Sequence, residues 1–275
     1  MNSYAGLTTL KNRISIEGTG DDSQLRLLLE ASSRAVDKYC HRFFYVLSAI
    51  RYFSGAGSEL YFKREDLLSV TTLKTDEDGD GTFENTLTEN TDFFHFPLNS
   101  YPKIRAEINP NGNFSGFGLG SKRGIKIEGE FGYGDGESAS PYSNSGTTTN
   151  EVLDISETDV DVVSGSALEA GQTILVESEQ MYIKSISSNT LTVIRGVNGT
   201  SSATHAISKI IYIYAYPSPI RESVIMLTSR LWKRKDSAFA TIIASPELGQ
   251  IEVFRGMDTD VKSFLTPFVK SGWFA

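Results

Sequence analysis

The sequence predicts an α+β protein: a helical core carried by two long helices, near 22–41 and 218–238, with β-hairpins or a small sheet, plus an inserted all-β domain. Three observations predict it. Apolar residues recur at three- and four-residue spacing in two long stretches. Between them, short apolar segments are separated by Gly, Asn, Asp and Pro, the pattern of strands and turns. Composition then breaks at Gly134–Asn150, which contains almost no aliphatic residue, and β-like patterning resumes beyond it.

The first helix is read from Leu25, Leu28, Leu29, Val36 and Tyr39, with Ser32 filling the remaining slot of the stripe. Asp21 and Gln24 resemble a capping box, with Asp22 and Ser23 as alternative caps. Arg26, Glu30, Arg34 and Lys38 occupy the opposite, solvated or interfacial face. From Tyr45 to Tyr133 the segments Leu60–Phe62, Val70–Leu73, Phe93–Phe96 and Ile104–Ile108 read as short strands. The clearest strand is Gly124–Phe131, where Ile125, Ile127 and Phe131 alternate with Lys126, Glu128 and Glu130. The stretch 137–149 reads as a linker and 150–213 as a small β module, with eight acids against three bases. The second helix opens at Ser218-Pro219 and carries Ile220, Val224, Leu227 and Leu231, with Arg230, Lys233, Arg234 and Lys235 at its end. Residues 1–136 and 214–275 thus form a discontinuous core around the module.

Length and composition narrow the function. The 275 residues are long enough to bury a core without metal or disulfide staples, and 39% hydrophobic with 22% charged is a globular balance. A net charge of −8 argues against gripping nucleic acid through the overall field. The single cysteine, Cys40, excludes an intrachain disulfide and reads as a buried thiol made in a reducing compartment. No run approaches the ~18–20 apolar residues of a membrane span, and the Met-Asn-Ser-Tyr start carries no secretion signal.

Candidate sites are few. Asp76, Asp78 and Asp80 alternate and are followed by Gly81, as in the first half of a calcium loop. Leu87 stands where the bidentate acid should be, although Glu84 or Glu89 could complete a non-helical site; an Asp/Gly hairpin turn explains the same residues. The glycines at 116–124 and 132–136 open no helix and match no phosphate loop. His41, His95 and His205 lie in separate segments without zinc spacing, and no nucleophile elbow is present, so the chain reads as a non-enzyme without a cofactor, calcium at 76–80 aside. Arg230–Lys235 reads as a dipole-matched helix end rather than a phosphate site. The tail carries Phe264, Leu265, Phe268, Trp273 and Phe274; either it folds back on its own core or it is a partner-binding arm.

The order of these elements resembles the head-tail connector (adaptor) family of long-tailed double-stranded-DNA bacteriophages. The resemblance rests on Leu7-Thr-Thr-Leu10-Lys, then Asp21-Asp22 with Leu25, Leu28-Leu29-Glu30-Ala31, and Val36 with Tyr39-Cys40 and Arg42-Phe43. It continues through Leu67-Leu68-Ser69-Val70, the acidic turn, Gly129-Glu-Phe131-Gly132-Tyr133-Gly134 and Arg230-Leu-Trp232-Lys-Arg234-Lys. It closes with Pro246-Glu-Leu248-Gly249, then Asp258, Asp260-Val261, Phe264-Leu265 and Pro267-Phe268. These motifs span 1–135 and 214–275. The inserted stretch departs from the simpler members. Its Glu179, Met181, Leu191-Thr-Val193, Arg195-Gly196, Gly199-Thr200 and His205 are similar to a small β module of various phage virion proteins.

The resemblance implies a structural virion protein at the head-tail interface, assembled in the host cytoplasm into a ring of twelve copies. The ring would sit beneath the portal, meet a head-completion, stopper or tail protein below, and pass DNA without sequence-specific binding. It also implies that Phe264, Leu265, Phe268, Trp273 and Phe274 bind the portal. The competing expectation is a calcium-dependent virion adhesion or carbohydrate-binding module.

Overall fold

The structure is a computed structural model describing residues 2–55, 57–118, 122–235, 242–245, 249–252 and 257–270, the backbone alone at 242–245 and 249–252. In chain order its elements are α1 (Leu7–Ile14), α2 (Asp22–Cys40), β1 (Leu47–Phe53), β2 (Glu59–Tyr61), β3 (Leu67–Thr75), β4 (Asn85–Leu87), β5 (Phe93–Phe96), β6 (Arg105–Ile108) and β7 (Ile125–Phe131). There follow β8 (Tyr142–Thr148), β9 (Asp159–Asp161), β10 (Thr173–Val176), β11 (Glu179–Ser187), β12 (Thr190–Ile194), β13 (Ile210–Tyr214), α3 (Ser218–Arg234), β14 (Ile242–Ser245), β15 (Gly249–Glu252) and α4 (Thr259–Leu265).

The helical core expected from the sequence is not the architecture. Among the described residues, three antiparallel sheets, of four, three and six strands, dominate, and four α-helices accompany them; β14 and β15 add a two-stranded pair. The helical stripes at 22–40 and 218–234 are present, with 236–238 outside the described residues. What outweighs them is the bulk of β structure. Short runs rich in aromatic and β-branched residues, each too short to show much periodicity, assemble into sheets with apolar cores of their own.

Contacts divide the chain into two compact units. One comprises the described residues of 42–142 with 198–200. Here the sheet β1-β7-β3-β4 and the sheet β2-β6-β5 share a core of Leu60, Phe62, Leu67, Leu73, Leu87, Phe93, Phe117, Ile125, Ile127 and Phe131. The alternation read in β7 is real: Ile125, Ile127 and Phe131 are buried, while Lys126, Glu128 and Glu130 face outward. Gly129 is required by its neighbour, because a Cβ there would lie 2.1 Å from the Ser69 carbonyl oxygen where β3 shifts register.

The other comprises the described residues of 2–41, 143–197 and 201–270. Its six-stranded sheet, β8-β13-β10-β11-β12-β9, encloses Leu153, Val160, Val162, Ile174, Val176, Met181, Ile183, Leu191, Val193 and Ile211. The edge strands meet: Thr149 bridges Val162, the Val163 N–H donates to the Thr148 carbonyl at 3.0 Å and the Asn150 N–H to the Asp161 carbonyl at 2.8 Å. The sheet therefore closes into a small barrel. The stretch read as a linker supplies β8, and its Thr147 and Thr149 are buried; threonine's β-branch suits a pleated strand although it contributes no aliphatic signal.

In the same unit α2 packs on α3 through Leu25, Leu29, Val36 and Cys40 against Ile220, Val224 and Leu227, all buried. Ser32 is buried at this contact and accepts a hydrogen bond from the Thr228 hydroxyl at 2.9 Å, so the polar slot in the apolar stripe is a paired one. α1 is capped from a distance. Its N-cap is Gly6, which has no side chain, and the Glu169 carboxylate accepts the Thr9 N–H at 2.8 Å and the Thr9 hydroxyl at 2.7 Å. Gly6 is what admits that carboxylate, because a Cβ there would meet it at 2.1 Å. Glu169→Ala should therefore destabilise the protein by about 1 kcal/mol, as loss of a cap does. It should also speed exchange of the Thr9 amide; an unchanged exchange rate would show that the cap contributes nothing.

Candidate functional site

Residues 257–270 of the tail named by the sequence belong to the helical layer. α4 lies against α3 and α2, with Val261 and Leu265 fully buried. Asp258, just before α4, pairs with Arg230 at 2.7 Å, and the Lys270 N–H donates to the Cys40 carbonyl at 2.9 Å. Arg230, read as part of a helix-end charge run, thus anchors the start of the tail. Of the five residues named for portal binding, Leu265 belongs to the core, Phe268 is half-buried and Phe264 is 40% exposed. Trp273 and Phe274 lie outside the described residues, as do Pro246-Glu-Leu248 of the resemblance.

The acidic loop follows β3. Asp76 is buried, and its two oxygens accept the Gly79 N–H at 2.7 Å and the Gly81 N–H at 2.9 Å. Asp78 accepts the Asp80 N–H at 3.1 Å. Asp80 accepts the Thr82 N–H at 2.6 Å, which holds its carboxyl below the ordinary range. One oxygen each from Asp76, Asp78, Asp80 and Glu84 lies within 4.8 Å of the others. Glu84 is therefore the fourth acid of the group. Glu89 instead sits 2.8 Å from Nδ1 of His95, whose ring titrates below its usual value because it is buried, against the opposing pull of Glu89. The same four carboxylates can close a turn or surround a hard cation, which takes oxygen ligands of this kind.

The barrel contains a constellation that sequence reasoning missed. Glu179, at the start of β11, is fully buried and receives five donors: Arg195 Nε and Nη2, each at 2.7 Å, the Gly196 N–H at 3.0 Å, the Ala203 N–H at 2.9 Å and His205 Nε2 at 2.9 Å. Arg195 in turn spends its remaining N–H groups on the carbonyls of Asp154, Glu157 and Ala203. His205 places Nδ1 2.8 Å from Glu177, which also pairs with Lys209 at 2.6 Å. The signal was available. Glu179, Arg195-Gly196 and His205 stand together in the module's own pattern, but nothing in their spacing says that they converge.

Both oxygens of Glu179 and every N–H of Arg195 are hydrogen-bonded, so the cluster is a polar network that ties its loops together. Histidines 41, 95 and 205 do not come together: His41 ends α2 in a left-handed conformation, and the other two pair with different glutamates. No helix among the described residues is long and apolar enough to cross a membrane.

Comparison with solved structures gives a distant likeness. Among solved structures, the chain is similar to a chain in the neck of an empty GTA particle computed with C6 symmetry. Identity is 11%, the match covers 98% of this chain and 91% of that one, and the TM-score is 0.42. No family model matches, and no curated protein does. A likeness this distant leaves the function to be argued from residues.

Two buried carboxyls set opposite pH dependences. Burial raises Glu179, but Arg195, His205 and the Ala203 N–H outweigh it and hold its carboxyl below the ordinary 4.5. Its contribution is therefore complete above that value and lost as pH falls below it. Asp37 accepts the Tyr4 hydroxyl at 2.5 Å and pairs with Arg34 at 2.8 Å, yet burial prevails and lifts it from 3.8 to about 6. Because the folded form holds that proton longer, stability should decline as pH rises from 3.8 to about 6. Urea unfolding between pH 3 and 7.5 should show Asp37→Asn abolishing that decline. Glu179→Ala, which strands a buried guanidinium, should cost about 3–5 kcal/mol near neutral pH. A cost below 1 kcal/mol would mean that the cluster relaxes into water.

Proposed function

We propose that the chain is a structural protein of the neck of a phage-like particle, joining the DNA-filled head to the tail. It acts there as a ring of twelve copies beneath the portal and continues the DNA channel. The observation that carries this reading is the ordered run of connector motifs over 1–135 and 214–275. The structure bears on what those motifs are. Leu7, Leu10, Leu25, Leu29, Val36, Cys40, Leu67, Leu68, Phe131, Trp232, Val261 and Leu265 are all buried. The shared pattern therefore sits in residues that specify the cores rather than in residues free to drift on the surface. The solved neck to which the chain is similar is an assembly of the same kind, at a distance that carries no weight alone.

In this reading the chain is not an enzyme. Val261 and Leu265 seat α4 so that Phe264 faces solvent, and the tail contacts the portal through Phe264 and Phe268, with Trp273 and Phe274 beyond. The net charge of −8 suits a channel through which DNA slides without adhering.

Immunogold label against the chain should fall at the head-tail junction of purified particles; label at a tail tip or capsid face would sink the reading. Phe264→Asp should leave unfolding within about 0.5 kcal/mol of the parent, since the residue is exposed, while sharply reducing incorporation into portal-bearing heads. Undiminished incorporation would remove the tail from the portal contact.

A second reading, calcium-dependent adhesion or carbohydrate binding, is favoured by one observation, the convergence of Asp76, Asp78, Asp80 and Glu84. Calorimetric titration with calcium should then give saturable binding that Asp78→Asn weakens at least tenfold. Absence of heat at millimolar calcium would dispose of it.

A further inference from the structure

We infer that the chain joins head to tail with a second copy of itself: the acidic, apolar turn of the barrel at 151–157 seats in the cationic groove between α1 and α3 of the next copy. That the resulting ring belongs to a neck rests on the reading above; the contact itself does not.

The turn is closed by its own groups. Leu153 bridges His205 and is buried in the barrel, and the Asp154 carboxylate accepts the Ser156 N–H at 2.6 Å and the Glu157 N–H at 2.9 Å. Its other apolar residues have no place inside: Val152 is 70% exposed and Ile155 61%. Ile207, two residues beyond His205, is exposed as well. Apolar side chains standing out of a closed turn are costly to leave in water and add nothing to the barrel core. Around them stand Glu151, Asp154, Glu157, Asp159 and Asp161, and none is in an ion pair among the described residues. The bases of the barrel are committed elsewhere. Arg195 pairs with Glu179 and Lys209 with Glu177, and Lys184 lies beside Arg26 in a different groove. The turn is therefore an apolar knob with uncompensated negative charge.

The helical layer carries the complement. A groove of about 340 Å³ has Ile14, Ile225 and Met226 as its apolar lining and Arg13, Arg230 and Lys233 as its cations. Glu222 pairs with Arg13 and Asp258 with Arg230, each at 2.7 Å. Lys233, and Arg221 one turn before Ile225, are exposed and have no acidic partner among the described residues. On α4, which packs against α3, Asp260 and Lys262 offset each other. Positive charge thus remains after the acids on these elements are counted.

These signs decide the geometry of association. Two copies meeting knob to knob would set five acids against five, and groove to groove would oppose cations. Only knob into groove brings opposite charges and apolar surfaces together. Such a contact uses a different patch on each copy, so it leaves one knob and one groove free and repeats until a ring closes. The charge of the knob also excludes nucleic acid as its occupant.

Oxidative crosslinking of the double variant Ile155→Cys with Ser229→Cys tests the contact, since Cys40 is buried. In concentrated free protein and in purified particles it should give a ladder of covalent multimers, where each single variant gives nothing beyond a dimer. A dimer alone from the double variant would overturn the head-to-tail contact. If particles contain the chain and no ladder forms, the contact fails and the neck reading stands; if the ladder forms in solution while particles lack the chain, the contact stands and the neck reading fails. Glu157→Lys added to the double variant should cut the ladder at least tenfold, as should Lys233→Glu, at an exposed position, added by itself. The two changes together should restore it. No loss from either change, or no return with both, would overturn the charge pairing.

Discussion

A carboxylate with no access to water is costly to bury, and in the barrel the surrounding chain is organised around meeting that demand at Glu179. Five donors converge on it from one arginine, one histidine and two backbone amides. The arginine then carries the constraint outward to three carbonyls on two further loops. Segments around 154–157, 179, 195–196 and 203–205, none of them in regular pairing with all the others, are thereby fixed by a single charge pair. Apolar contacts alone could close the barrel, since they are nondirectional and Leu153, Val160, Ile174, Val176, Ile183 and Leu191 pack together inside it. They could not specify the path of a loop that carries so few buried aliphatic residues. A directional, saturated polar network does that, and its penalty for being half-formed is what makes it specific.

The same logic of meeting backbone and charge demands from a distance recurs in the helical layer. α1 begins at a glycine because a glutamate some 160 residues away in sequence provides its cap. Ser32 and Thr228 replace an apolar pair with a hydrogen bond between α2 and α3. These features rest on contacts between residues remote in the chain, so no local window of sequence contains them.

This explains which parts of the protein were legible from sequence. The stripe Leu25, Leu29, Val36 and the alternation Ile125, Ile127, Phe131 are local periodic patterns, and the structure keeps both. The strands β2, β5 and β6 could be read, and β4, three residues long, could not; the balance of the fold was misjudged because nothing local says that such short strands pair into sheets with cores of their own. β8 was hidden by composition, since a strand built from Tyr, Ser, Asn, Gly and Thr has no aliphatic signature. At the candidate sites, the acidic loop could be read because its residues are contiguous. The tail was read as a set of aromatic anchors, yet sequence could not divide Leu265, which faces inward, from Phe264, which does not.

The two sheet systems answer the problem of unpaired edges differently. In the barrel, β8 and β9 meet, so neither edge strand offers a full row of free groups, and a further strand could add only by breaking existing bonds. In the other unit, β1 is stoppered at Ser48 and, among the described residues, otherwise open, with Ile50 and Tyr52 where a guarded edge would carry charge. An open edge of that composition is a hazard for a free monomer. Of the surfaces this chain presents, backbone recognition by a neighbouring strand is therefore available on the β1 sheet and denied on the barrel.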